Sequence, residues 1–197
     1  VTGYTVVSIS NPLYKESDFT FSGDATIKGT DAGSYDMNVK ATDFTNTNGN
    51  FTKVTFVIED GKLTISKREV TLTSGSDEKV YDGTALTKDE VTVSGDGFVE
   101  GEGATCTVTG SQTNVGSSDN EFTYTLNEGT KADNYEITTT LGKLTVKASE
   151  AEVIVTIKEN SGSEKYDGTE KTVTGYTVVS ISNPLYKESD FTFSGDA

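Results

Sequence analysis

The residue types that most often carry catalysis are sparse in this sequence. Histidine is absent from all 197 residues, which removes the commonest general base and excludes His-dependent triads and His-ligated zinc sites. Close carboxylate pairs exist, such as Asp18 with Asp24 and Glu100 with Glu102, but 31 acidic residues make such pairs unavoidable. Cys106, the single cysteine, is predicted to be a small apolar residue of the strand ATCTVTG rather than a reactive thiol or thioester. We therefore expect no enzymatic activity.

Oxygen-bearing side chains suggest a second chemistry, the binding of a hard cation. Asp43 opens a segment, 43–49, with oxygen donors at alternate residues, and Asp119 and Glu121 belong to a second cluster at 117–121. A calcium loop needs more carboxylates at a fixed register than either segment offers. Asp43, Asp119 and Glu121 are candidate calcium ligands on this basis, and no other cofactor is expected.

A Tyr-Asp-Gly-Thr motif occurs twice, 85 positions apart. Its residues are Tyr81, Asp82, Gly83 and Thr84, and then Tyr166, Asp167, Gly168 and Thr169. Loop residues often carry function, so the motif is one candidate for a ligand site. The same residues also suit a structural turn, in which Asp and Gly provide the turn, Thr bonds the local backbone and Tyr packs against a core. We favour the structural role.

The motif belongs to a longer internal repeat. Residues 173–197 are identical to residues 1–25, which gives a period of 172. Within this period the segment GKLTI at 61–65 recurs as GKLTV at 142–146, so the period divides into sub-repeats of about 85 and 87 residues. The predicted domains are 1–68, a repeat A lacking its first strand; 69–148, a complete repeat B; and 149–197, the first part of the next repeat A.

The elements that carry these motifs are predicted to be strands. Apolar residues alternate with polar ones around Val70 and Leu72 and from Phe122 to Leu126, and Ser-Gly, Asp-Gly and Asn-Gly pairs separate these segments. Asn50-Phe51 and Asn134-Tyr135 each mark the start of a strand, whereas 14–18 and 87–90 each suit one helical turn. The predicted class is all-β, built from tandem immunoglobulin-like β-sandwich repeats, with β-grasp-like repeats as the alternative.

Tyr35 supports the prediction of immunoglobulin-like repeats. In such domains a tyrosine near one corner of the sandwich hydrogen-bonds back to the preceding backbone. The segment from Asp31 to Tyr35 fits this arrangement, and Met37 stands where a disulfide cysteine would follow. The sequence therefore predicts a core without a disulfide.

The net charge of −15 argues against two classes of partner. A surface of this sign repels nucleic acid phosphate and anionic lipid. No apolar run approaches the length of a membrane-spanning helix. We expect no nucleic acid partner and no membrane insertion in this segment.

Several segments in a fixed order resemble a known family. DAGSYDMNV, GNFTKVTF, GKLTISKREVTLT and KVYDGT are similar to the MBG and YDG-type repeats of bacterial surface adhesins. The resemblance implies an exported, extracellular protein of the bacterial cell surface, with tandem immunoglobulin-like or related β domains and no catalytic residue. The second sub-repeat departs from the pattern at NVGSSDNEFTY, where a longer loop is expected.

Two functions follow from this resemblance. The first is structural: the repeats form the stalk or filament body of a long adhesin-like protein. The second is an adhesive module that recognises a host glycan or protein through multivalent repeats. Neighbouring repeats of the same chain are the expected partners, together with head-to-tail self-association in which one molecule completes the open strands of another.

Overall fold

Short strands and single 3-10 turns make up this protein. The computed structural model describes residues 3–195, and no α-helix occurs among them. The 3-10 turns are Glu16–Asp18, Ala41–Asp43, Ala132–Asn134 and Glu188–Asp190. The predicted all-β class is confirmed. Within the described range no helix is long and apolar enough to cross a membrane.

Fourteen strands occur within the described residues. They are β1 (Phe19–Phe21), β2 (Gly33–Asp36), β3 (Phe44–Asn46), β4 (Lys62–Ile65), β5 (Arg68–Ser74), β6 (Asp77–Val80), β7 (Val91–Gly95), β8 (Ala104–Val108), β9 (Gly116–Asp119), β10 (Phe122–Leu126), β11 (Tyr135–Thr140), β12 (Lys143–Lys147), β13 (Val155–Glu159) and β14 (Tyr176–Ile181).

The strands form two three-stranded sheets and four pairs. The three-stranded sheets have the orders β11-β5-β7 and β6-β12-β9, and the pairs are β1-β3, β2-β4, β8-β10 and β13-β14. β5 pairs in parallel with β11, and β6 pairs in parallel with β12. Two residues separate β5 from β6, and two separate β11 from β12.

Burial concentrates in the central strands of these sheets. Val70 and Leu72 on β5 are fully buried and alternate with half-buried threonines, which is the predicted strand pattern. On β12, Leu144 and Val146 form a second buried cluster with Leu86. Burying one aliphatic side chain of this size contributes about 1.5–3 kcal/mol, so these few residues account for much of the apolar stabilisation of the complete repeat.

The two sub-repeats share one antiparallel strand pairing. Asp36 on β2 lies opposite Lys62 on β4, and Asp119 on β9 lies opposite Lys143 on β12. Each pair forms an ion pair, at 3.4 Å and 2.8 Å respectively. The same register and charge pattern recur in both copies, as the sequence repeat requires.

Contacts divide the described residues into two compact units. One contains 3–73, 91–107 and 123–140, and the other contains 74–90, 108–122 and 141–195. The predicted repeat boundaries at 68/69 and 148/149 stay predictions.

Two local predictions were wrong. No strand begins at Asn50-Phe51, because the backbone of Phe51 closes a turn: its N–H donates to the Asn48 carbonyl oxygen at 3.2 Å, and its carbonyl oxygen accepts from Asn46 Nδ2 at 2.8 Å. Residues 87–90 form no helical turn; Glu90 instead accepts a backbone hydrogen bond from Gly75 at 2.9 Å. The predicted turn within 14–18 is present as 3-10, and β11 begins at Tyr135 as predicted.

Candidate functional site

The first Tyr-Asp-Gly-Thr motif forms a closed, self-bonded turn directly after β6. The Oδ1 atom of Asp82 accepts hydrogen bonds from the Thr84 backbone N–H at 2.9 Å and from the Thr84 hydroxyl at 2.8 Å. Lys79, near the end of β6, donates to Asp82 Oδ1 and to the Thr84 carbonyl oxygen, each at 2.7 Å. Gly83 has a φ of +79°, a conformation that favours glycine.

These hydrogen bonds set the charge state of Asp82. Bonds from Lys79 first, and then from the backbone and hydroxyl of Thr84, hold the pKa of Asp82 well below its usual range. A carboxylate that accepts this many donors is stabilised in its charged form. All three bonds are made to Asp82 Oδ1, and they close the turn.

Tyr81 ties this turn to the core. Its ring packs against the buried cluster of Leu86, Leu144 and Val146, and its backbone N–H donates to the Lys147 carbonyl oxygen at 2.8 Å. The ring therefore fixes the position of the turn beside β12.

The second motif has the same turn but a different surrounding. Asp167 Oδ1 accepts from the Thr169 backbone N–H at 3.0 Å and from the Thr169 hydroxyl at 2.6 Å. The lysine comes from the other side of the motif, since Lys171 donates to Asp167 Oδ2 at 2.6 Å and lowers the pKa of Asp167. Gly168 again has a positive φ, of +78°. Tyr166, in contrast with Tyr81, is 97% exposed.

The candidate calcium ligands make structural contacts instead of converging. Asp43 Oδ2 accepts from the Lys40 backbone N–H at 2.8 Å and thereby closes a 3-10 turn. Asp119 forms an ion pair with Lys143. The carbonyl oxygen of Glu121 accepts hydrogen bonds from the backbone N–H groups of Thr109 and Gly110. Across residues 3–195 no group of three or more acidic or cysteine side chains is placed to hold a metal ion. The calcium site stays a prediction.

Tyr35 makes the hydrogen bond predicted for it. Its hydroxyl donates to the Asp31 carbonyl oxygen at 2.8 Å and so fixes the loop before β2. Cys106 lies on β8 as predicted, but its side chain is half-buried instead of fully buried, and burial raises the pKa of its thiol. A thiol with a raised pKa is a poor nucleophile.

Sequence reasoning missed a polar joint between the two sub-repeats. The Asp31 carboxylate accepts from Lys131 Nζ at 2.8 Å and from Asn134 Nδ2 at 2.9 Å, while Ala32 N–H donates to Asn134 Oδ1 at 2.7 Å. The bonds from Asn134 first, and then from Lys131, lower the pKa of Asp31. The sequence predicts that a strand starts at Asn134-Tyr135, but no sequence pattern links Asn134 to a residue 103 positions earlier.

A buried polar cluster was also missed. Ser74 and Asn120 are both buried; the Ser74 hydroxyl donates to the Asn120 carbonyl oxygen at 2.6 Å and accepts from Gly142 N–H at 2.9 Å. Asn120 Nδ2 donates to the carbonyl oxygens of Gly75 and Lys88. A Cβ at Gly142 would lie 2.4 Å from a backbone oxygen, so this position requires glycine. The sequence signal that could have revealed this cluster is the pair Gly75 and Gly142, each of which lies between two consecutive strands.

One family model matches part of the chain. Residues 66–142 match the family model of the YDG domain.

The YDG match covers less than half of the chain. It includes the first Tyr-Asp-Gly-Thr turn, β5 to β11, and the Lys131 and Asn134 side of the joint. The resemblance to a YDG-type domain is confirmed for this segment. No curated protein and no solved structure matches the chain.

Proposed function

We propose that this chain is a structural repeat unit, the stalk or filament body of a long protein of the bacterial cell surface, with each repeat folded as an immunoglobulin-like sandwich. The joint of Asp31 with Lys131 and Asn134 carries the proposal. It links one sub-repeat to the next by hydrogen bonds at fixed positions, and a stalk needs such links because each flexible connection shortens its reach.

Repetition and composition also support a spacer. The 25 residues at 1–25 recur without a change at 173–197, as expected for an array in which every unit has the same task. In both Tyr-Asp-Gly-Thr turns the aspartate Oδ1 is bonded to the following threonine, and a net charge of −15 favours solubility. These features support the stalk.

The joint can be tested by a matched pair of variants. Asp31→Ala removes the acceptor shared by Lys131 and Asn134, whereas Asp36→Ala removes an ion pair within one sub-repeat. We expect Asp31→Ala to broaden the interatomic distance distribution measured by small-angle X-ray scattering, and Asp36→Ala to leave it unchanged. Equal distributions for both variants and the parent chain would contradict a stiff joint.

The function itself can be tested by binding. The folded chain is applied to mucins, matrix proteins and a glycan panel, with and without calcium, with the heat-denatured chain as the control. We expect no saturable binding. Saturable binding by the folded chain alone would replace the stalk with the adhesive module.

A further inference from the structure

Two ladders of parallel strands connect the beginning of the segment 68–147 to its end. β5 begins at Arg68 and pairs in parallel with β11 over six residues. β12 ends at Lys147 and pairs in parallel with β6 over four residues. β5 and β6 are the first two strands of the segment, and β11 and β12 are the last two. Each ladder therefore joins an early strand to a late strand.

Tension along the chain acts on each ladder lengthwise. A pull on Lys67 draws β5 towards its N-terminal end, and a pull on Ala148 draws β12 towards its C-terminal end. Because the paired strands run in the same direction, these pulls displace them in opposite directions along their length. The hydrogen bonds of a parallel ladder are evenly spaced, so they resist this displacement together. Pulling both strands from the same end would instead break the bonds one after another.

Both ladders resist the same pull. Two residues, Gly75 and Ser76, connect β5 to β6, and another two, Leu141 and Gly142, connect β11 to β12. If the β5–β11 ladder alone breaks, the β6–β12 ladder still joins the early strands to the late ones. If the β6–β12 ladder alone breaks, the β5–β11 ladder does so. Both must therefore break before the chain between the two ends of the segment can extend.

Side-chain and backbone hydrogen bonds fasten the first residues of β5. Arg68 Nε donates to the Gly97 carbonyl oxygen at 3.0 Å, and Arg68 Nη2 donates to the Asp96 carbonyl oxygen. Asp96 Oδ2 accepts from the Glu69 N–H at 3.1 Å, and the Asp96 N–H donates to the Glu69 carbonyl oxygen at 2.8 Å. These bonds hold β5 at the end where tension enters.

The last residue of β12 is fastened as well. The Lys147 carbonyl oxygen accepts from the Tyr81 N–H at 2.8 Å, which continues the ladder beyond the end of β6. Lys147 Nζ donates to Glu78 Oε1 at 2.6 Å across the same two strands. The Tyr81 ring packs against the buried cluster on β12. These contacts hold β12 at the end where tension leaves.

We propose that the segment 68–147 is a tensile clamp, which resists a pull along the chain better than a pull that peels β5 from β11. The proposal deepens the stalk function and rests on it for its use, because a stalk that holds an attached object is pulled along its length. Resistance to force is governed by the rate of unfolding. A domain of ordinary thermodynamic stability can therefore be a clamp.

Single-molecule pulling from two pairs of positions tests the clamp. In a Cys106→Ala background, DNA handles are attached either through Lys67→Cys and Ala148→Cys or through Lys67→Cys and Asp133→Cys. The first pair pulls the ladders lengthwise, whereas the second pulls β5 and β11 from the same end, where Arg68 lies opposite Tyr135. At one loading rate, we expect the first pair to need at least about twice the force, because the bonds of both ladders resist together.

Two controls accompany this measurement. The released length identifies the unfolding event, since full extension spans at most about 3.6 Å for each residue between the handles. The handle positions are exposed, so we expect equal urea midpoints for the two chains. A difference in force then reflects the direction of pulling.

Equal forces for the two handle pairs, or a lower force for the lengthwise pair, would overturn the clamp. This outcome is separate from the fate of the stalk. Saturable binding in the panel described above would replace the stalk with an adhesive module and would not alter the measured forces.

A matched pair of variants tests the fastening of β5 with the lengthwise handles. Arg68→Ala removes the bonds to the carbonyl oxygens of Asp96 and Gly97, whereas Lys62→Ala removes an exposed ion pair outside the pulled segment. We expect Arg68→Ala to raise the unfolding rate at constant force at least about threefold, and Lys62→Ala to leave it unchanged. Equal rates for the two variants would show that Arg68 does not fasten the strand.

Discussion

Asp82 and Asp167 show how a short motif fixes its own shape. Each carboxylate accepts from the N–H and hydroxyl of the threonine two residues later, as asparagine and aspartate side chains do in many turns. The lysine that completes the cluster comes from before the motif in one copy, Lys79, and from after it in the other, Lys171. The carboxylate therefore determines the turn, and the position of its cation is free to vary.

The lowered pKa of Asp82 predicts a pH dependence of stability. A carboxyl whose pKa is lower in the folded state stabilises that state above its unfolded pKa, which is about 3.9, and loses this effect as the pH falls through the folded value. We expect Asp82→Asn to be less stable than the parent chain at pH 7, with the difference narrowing below about pH 4. Urea denaturation at pH 7 and pH 3 measures this.

Asp89→Asn is the control for this prediction, since Asp89 is an exposed carboxylate in the following loop. It is expected to stay close to the parent chain at pH 7. A stability difference for Asp82→Asn that is the same at both pH values would show that the charge of Asp82 does not stabilise the turn.

At the level of elements, the connections between consecutive strands depend on more specific side-chain hydrogen bonds than the strands do. β5 ends at the buried Ser74, and the short segments that lead from β5 into β6 and from β11 into β12 contain Gly75 and Gly142. The Ser74 hydroxyl and the Asn120 side chain satisfy backbone groups at these breaks, where the sheet ladder does not. Buried polar groups need such partners because an unmade hydrogen bond in the interior is costly.

Ser74→Ala is therefore expected to destabilise the chain. It leaves the Gly142 N–H and the Asn120 carbonyl oxygen without their serine partner, at a cost of about 1–3 kcal/mol. Ser111→Ala, at an exposed serine, is expected to change the free energy of unfolding by less than about 0.5 kcal/mol. Urea denaturation of the three proteins measures both values, and equal effects would show that the cluster contributes nothing specific.

At the level of the whole molecule, charge opposes both compaction and self-association. The chain carries 31 acidic and 16 basic residues, so like charges repel each other within a molecule and between molecules. Salt screens this repulsion, with a Debye length of about 30 Å at 0.01 M and about 3 Å at 1 M.

Raising sodium chloride from about 0.01 M to 1 M is expected to raise the urea midpoint. Urea denaturation at low protein concentration measures this effect. A midpoint that falls with salt would mean that the exposed ion pairs, such as Lys62–Asp36, outweigh the net repulsion.

The sequence was sufficient for much of this structure. Alternation predicted β5 and β10, and turn chemistry predicted the Tyr-Asp-Gly-Thr loops. It was not sufficient for the joint at Asp31 or the cluster at Ser74. Those contacts join residues that are 32 to 103 positions apart, and no local pattern encodes such a pairing.

The two identical segments separate what the sequence decides from what tertiary structure decides. Both contain the same 3-10 turn and the same bond from a tyrosine hydroxyl to the backbone four residues later, since these depend on near neighbours in the chain. Strand formation differs. The first copy is a strand at Phe19–Phe21, where β3 lies beside it, and the second is a strand at Tyr176–Ile181, where β13 lies beside it. A strand needs a partner's hydrogen-bonding groups, and only the fold supplies that partner.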